Sequence, residues 1–122
     1  MLSSKVKAKI GVGLALLFLT ACATDLRIKG VTPLMANAAQ GSITAVNTLI
    51  EQGAEVDAKD ENGRTALMYA VEQNRTEAAQ ALLAKGADVN VKDKFGMTSL
   101  KKAKQFGYKD TIAVLKRAGA IE

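Results

Sequence analysis

A 33-residue period governs this chain. Thr32-Pro33-Leu34-Met35 returns as Thr65-Ala66-Leu67-Met68 and again as Thr98-Ser99-Leu100-Lys101. Gly53-Ala54 returns as Gly86-Ala87 and Gly119-Ala120, and Gly30, Gly63 and Gly96 each stand two residues before a threonine. A fixed period of this length predicts a stacked array, in which each unit buries its apolar face only against its neighbours. Arrays of this kind are expected to bind other proteins rather than to catalyse. The chain has 122 residues and only five aromatics, with no Trp. Its core must therefore come from Ala, Leu, Val and Ile, which suits short, closely packed helices.

Each period follows one grammar. A turn comes first, Asp60-Glu61-Asn62-Gly63 and Asp93-Lys94-Phe95-Gly96, with Gly supplying a positive φ. The threonine then caps a helix by accepting a bond from an unpaired backbone N–H. Pro33, the only proline, follows at a position that needs no N–H. The second helix of each period carries Val46, Leu49 and Ile50, then Ala79, Leu82 and Leu83, then Ile112 and Leu115, on one face. Gly53, Gly86 and Gly119 are predicted to end these helices in left-handed caps. Glu55-Val56-Asp57 and Asp88-Val89-Asn90 are predicted to be short extended pieces leading to the next turn.

The pattern resembles the ankyrin repeat. In the middle period Asp60, Gly63, Thr65, Leu67, Ala70, Leu82, Leu83, Gly86, Ala87, Asp88, Val89 and Asn90 all stand where that family has them. The resemblance implies an all-α repeat, an ankyrin solenoid of about three stacked helix-turn-helix units with short β-hairpin connections. It covers an ankyrin domain over residues 30–122, with repeats of about 28–59, 60–92 and 93–122. Three departures stand out. Met35, Met68 and Lys101 replace the family's histidine. Asn37 stands where the other repeats have Ala70 and Ala103, which suits an opening cap. Lys116 replaces the second leucine of the Leu-Leu pair, which suits a closing cap.

The N-terminal segment reads differently. Lys5, Lys7 and Lys9 precede an apolar run, Ile10 to Leu19, which is too short for a comfortable membrane span. The run ends in Leu19-Thr20-Ala21-Cys22, which resembles the bacterial lipobox. The resemblance implies a signal peptide over 1–21, lipidation (palmitate among the acyl groups) at Cys22 and a tether over 22–29. Ala23 rather than aspartate follows the cysteine, which in lipoproteins of two-membrane bacteria implies the periplasmic face of the outer membrane. Loss of the three leader lysines leaves 14 basic against 12 acidic residues, from 17 and 12 in the whole chain. The basic balance is thus mostly a targeting signal, and a nucleic-acid partner loses its main support.

The ankyrin resemblance places partner contacts on hairpin tips and on the exposed side of each first helix. By position these include Lys29, Val31, Glu61, Asn62, Glu72, Gln73 and Gln105. The residues singled out for protein binding are Arg64, Tyr69, Lys94, Phe95, Met97, Lys102 and Phe106. Phe95 and Met97 flank Gly96 in a turn expected to be exposed, and large apolar side chains make typical anchors. The competing reading folds Phe95 back onto a neighbouring hairpin and uses Tyr69 for packing between repeats. Lys101, Lys102 and Lys104 share one short helix and read either as a patch for an acidic partner or anionic lipid, or as a solvated cap face. With no histidine, no phosphate-binding glycine loop and Cys22 committed to lipid, no enzyme, cofactor, metal or small-molecule substrate is expected. The expected function is protein binding at a membrane. Immunity against an interbacterial toxin such as a lipase, or an envelope-associated structural role, stands as the alternative.

Overall fold

Among the described residues six short helices stack in three antiparallel pairs. In this computed structural model residues 29–121 are described; the leader, Cys22 and most of the tether lie outside them. The helices are α1 (Pro33–Gln40), α2 (Ile43–Glu51), α3 (Ala66–Glu72), α4 (Thr76–Ala84), α5 (Ser99–Phe106) and α6 (Lys109–Arg117). First helices pack on first helices, α1 on α3 and α3 on α5, and second helices on second helices, α2 on α4 and α4 on α6. Helices of seven to nine residues are marginal alone, so neighbouring repeats must supply their stability. No described helix is long and apolar enough to cross a membrane.

The three threonines cap as expected. The Oγ1 of Thr32, Thr65 and Thr98 accepts from the amides of Met35, Met68 and Lys101 at 3.2, 3.4 and 3.2 Å. Met35 completes a capping box with sulfur. Its Sδ accepts the Thr32 N–H at 3.4 Å, a weak bond in the place where a Glu or Gln side chain commonly accepts. Met35 and Met68 are fully buried, so apolar packing fills the space of the family's histidine. Gly53, Gly86 and Gly119 all take positive φ after the second helices.

The core is continuous through the stack. Leu34, Leu67 and Leu100 are buried at one register position, as are Val46 and Ala79 at another. Leu82 and Leu115 share a third, and Leu49, Ile50, Leu83 and Ile112 pack against the cluster from its edge. Asn37 is half-buried and donates Nδ2 to its own Pro33 carbonyl at 2.9 Å, while Ala103 and Ala70 at the same register are sealed. Lys116 is exposed. A polar knot joins α4 to α6: the buried Thr111 hydroxyl meets Thr76 Oγ1 at 2.8 Å and Asn74 Oδ1 at 3.2 Å.

The connections differ from expectation. Among the described residues no strand forms. Each tip is a hydrogen-bonded turn, closed by Asp60 N–H to the Arg64 carbonyl and Asp93 N–H to the Met97 carbonyl, both at 3.0 Å. Adjacent tips meet through one backbone bond each, Glu61 N–H to the Lys29 carbonyl at 2.8 Å and Lys94 N–H to the Asn62 carbonyl at 2.9 Å. One bond per junction is too few for a strand ladder. Gly63 is required twice over, by its φ of 79° and because a Cβ there would stand 3.1 Å from the Lys94 nitrogen of the next tip. The pieces predicted as extended bend into turns at Val56-Asp57 and Val89-Asn90. The cause is local: Asn90 N–H donates to Asp88 Oδ1 at 2.9 Å, a short side-chain bond that curls the backbone. Asp57 and Asn90 then act alike. Asp57 Oδ1 accepts the Asp88 amide, and Asn90 Oδ1 accepts the Ile121 amide, each at 2.9 Å and 31 residues away.

Candidate protein-binding hollow and its ion-pair floor

The tip aspartates begin a network that crosses from the second repeat to the third. Asp60 Oδ1 accepts the amides of Asn62 and Arg64, both at 2.9 Å. Its Oδ2 accepts the Tyr69 hydroxyl at 2.6 Å and Arg64 Nε at 3.2 Å. One repeat later Asp93 Oδ1 accepts the amides of Phe95 and Met97, again at 2.9 Å. Lys102 stands in the register of Tyr69, and its ammonium lies 2.9 Å from Asp93 Oδ2. The same side-chain position thus serves the same carboxylate in both repeats, once with a hydroxyl and once with a cation.

Glu72 joins the two halves. Its Oε1 accepts Arg64 Nη1 at 3.1 Å and its Oε2 lies 2.9 Å from the Lys102 ammonium. The charges alternate from Asp60 through Arg64, Glu72 and Lys102 to Asp93. Arg64 also donates Nη2 to the Tyr69 oxygen at 3.0 Å and lies 4.5 Å above that ring. Burial pushes the Asp60 carboxyl up, but the Tyr69 hydroxyl, the Arg64 and Asn62 amides and the Arg64 charge outweigh it, and the group sits below its ordinary range. Burial likewise opposes ionisation of Asp93, and Lys102 with the Met97 and Phe95 amides holds it low. Desolvation works against the Lys102 charge too, yet Glu72 and Asp93 raise its pKa above the usual lysine value.

Above this floor lies an open hollow of about 540 Å³. Glu72 and Gln73 close one side, Asp93, Phe95 and Met97 the tip side, and Lys102, Gln105 and Phe106 the side of α5. Phe95 is 70% exposed and Phe106 50%. Phe95 therefore stands clear of the neighbouring hairpin, with the Lys94 ammonium 5.6 Å from its ring centroid. Phe106 stacks on Tyr108 with centroids 5.3 Å apart.

Of the seven residues singled out from sequence, Phe95, Met97, Lys102 and Phe106 come together in the hollow, and Lys94 sits at its rim. Arg64 and Tyr69 lie in the floor network. Tyr69 is buried and bonds inside its own repeat. The three-lysine patch needs correction at one member. Lys102 is buried and turned into the ion pairs, whereas Lys101 and Lys104 are exposed. Glu72, which sequence reading placed only among general contact positions, joins the ion pairs of the second and third repeats. A comparison of register positions points to Lys102, which is to Asp93 what Tyr69 is to Asp60, and gives no signal for Glu72. Among the described residues no group of His, Cys, Asp and Glu side chains is arranged to hold a metal ion.

The fold finds counterparts in known proteins. A family model described as ankyrin repeats (3 copies) matches residues 8–93. The crystal structure of the human ASB11 ankyrin repeat domain is similar to the chain with a TM-score of 0.70 and 37% identity, over 74% of this chain and 41% of that one. The chain thus spans less than half the length of that structure. No curated protein matches.

Proposed function

We propose, from the premise that the chain belongs to the ankyrin-repeat family, that it is a protein-binding module whose contact surface is the hollow between its second and third repeats. Ankyrin repeats typically mediate protein–protein binding. The observation that carries the proposal is the convergence of exposed Phe95 and Phe106 with Met97 on one concavity. Burying a phenylalanine against a partner contributes about 1.5–3 kcal/mol, and a rigid floor beneath it keeps the cost of ordering low. Residues with that combination dominate interface energetics.

We place this module at a membrane, held by lipid on Cys22 at the periplasmic face of a bacterial outer membrane. The support is in the sequence: the basic start, the apolar run and Leu19-Thr20-Ala21-Cys22. A lipid anchor raises the local concentration of a small interface near membrane-bound partners. Two measurements test the two parts. A photo-crosslinking residue at position 106 should capture a protein partner in cells, and one at exposed Gln80 on the far side should not; the reverse pattern overturns the hollow as the contact surface. Mass spectrometry of the mature N-terminus should find acyl groups on Cys22, and an unmodified thiol there overturns the anchor.

A further inference from the structure

We infer that the occupant of this hollow is an acidic polypeptide segment that carries a large apolar side chain. The inference rests on the protein-binding role proposed above and assigns its partner a chemistry.

The floor of the hollow is closed to further charge. Its two carboxylates, Glu72 and Asp93, both lie 2.9 Å from the Lys102 ammonium, and Glu72 also meets Arg64 at 3.1 Å. A partner cation reaching in would have to break buried pairs and leave a lysine without its counter-charge. A partner apolar group meets no such obstacle, because Phe95, Met97 and Phe106 offer carbon surface above the pairs. The amides of Gln73 and Gln105 stand on opposite sides and suit the backbone of an extended segment.

The floor holds three carboxylates against Arg64 and Lys102, all of them paired, and the exposed surface of the third repeat is positive. Lys94 is exposed beside Phe95. Lys101 is exposed one helical turn before Gln105 and shares its side of α5. From residue 93 to residue 122 the sequence holds seven basic side chains against Asp93, Asp110 and Glu122, and Lys102 and Asp93 are spent on each other. The acid on the neighbouring tip, Glu61, accepts the Lys29 amide at 3.1 Å. Glu61 keeps its charge, but the basic balance of the third repeat beside the hollow favours negative charge and disfavours basic segments. An anionic membrane would also answer the lysines, but a broad lipid surface does not enter a concavity, and the polypeptide answers both the charge and the shape.

The test selects a random-peptide library on the full chain and measures the enriched peptides by fluorescence anisotropy. The expected pool is rich in Asp and Glu around a Phe, Trp or Leu. Its affinity should fall about tenfold on Phe95→Ser, which corresponds to about 1.4 kcal/mol, and about threefold on Lys94→Glu, and should weaken as salt rises. Phe95→Leu should keep most of the binding, and unchanged circular dichroism confirms that the variants fold. Neutral or basic peptides that still depend on Phe95 overturn the acidic partner and leave the hollow as the binding site. Enriched peptides indifferent to Phe95→Ser overturn the hollow itself. No enrichment, with Lys94-dependent binding to phosphatidylglycerol vesicles or without it, overturns the polypeptide partner.

Discussion

The second and third repeats obey the same grammar and end with opposite surfaces. Met68, Val71 and Leu83 in the second are at least half-buried, and the first two are sealed entirely. Their register partners in the third, Lys101, Lys104 and Lys116, are all exposed. At the tips the contrast runs the other way: Glu61, Asn62 and Arg64 are polar, and the third repeat puts Phe95 in the open beside a half-buried Met97. The second repeat is built to be covered on both sides by its neighbours. The third spends its lysines on the open side of α5 and its large apolar residues on the tip. The positions that hold helices and turns together are unchanged between the two, so scaffold and surface vary independently within one repeat.

The comparison can be broken most severely at Met68. Met68→Lys places in the second repeat what the third carries at Lys101, but in a sealed site, and an unpaired buried charge should cost about 3–5 kcal/mol. Lys101→Met, the reverse exchange, should stay within about 0.5 kcal/mol. Urea denaturation followed by circular dichroism reads both. Equal effects would mean that the two repeats are packed alike.

Acid should come next, because it discharges the floor of both repeats together. Asp60 and Asp93 are held below their ordinary values. Their contribution is therefore present above the unfolded aspartate value of about 3.9 and is lost as pH falls through the lower folded values. Lys102 is shifted up, so its contribution is full below about 10.4 and is lost as pH rises through the higher folded value. Thermal melts across pH should show a plateau between these limits. Lys102→Met should remove the alkaline limb, and an alkaline limb that persists would exclude Lys102 as its cause.

Glu72→Gln tests whether the two repeats are coupled through the floor. It removes the charge that serves both Arg64 and Lys102 and should cost about 1.5–3 kcal/mol. Tyr69→Phe affects mainly the second repeat, where the hydroxyl bonds both Asp60 and Arg64, and should cost about 1.5 kcal/mol, the low end for hydrogen bonds to charged groups. If Tyr69→Phe proves the costlier, the floor acts within repeats rather than between them. The smallest effect is expected at Asn74, the one described non-glycine residue with positive φ, at 57°. Asn74→Gly relieves that backbone but gives up the bond from Thr111, and should change the melting midpoint little.

What the sequence revealed and what it hid divide along a physical line. The threonine caps, the terminal glycines and the apolar faces depend on spacings of two to four residues, and each was readable from its own segment. Lys102 was not, because Lys101, Lys102 and Lys104 look alike until the register places Lys102 opposite Asp93 in space. Asn74 escaped for the same reason: its left-handed turn becomes plain only beside Gly41 and Gly107, which hold positive φ at the same register in the flanking repeats. The tips were expected as strands because each turn is flanked by short extended stretches. Strands require several bonds between neighbours, and the stack provides one. The lining of the hollow joins the end of α3 in the second repeat to the tip and α5 of the third, a convergence that no single segment encodes.

The side-chain joint made by Asp57 and Asn90 has a consequence for how such a chain changes over generations. Each reaches across to an amide in the following repeat over the same 2.9 Å and the same 31 residues. A joint of the same geometry at each junction, made by Asp57 at one and Asn90 at the next, works as a common coupling. A duplicated block of one period, inserted in frame, would find a fitting on its upstream side and supply one downstream, with no residue needing to be redesigned. The length of the array is therefore open to copying errors in the gene, while the tips remain free to drift toward new partners one residue at a time.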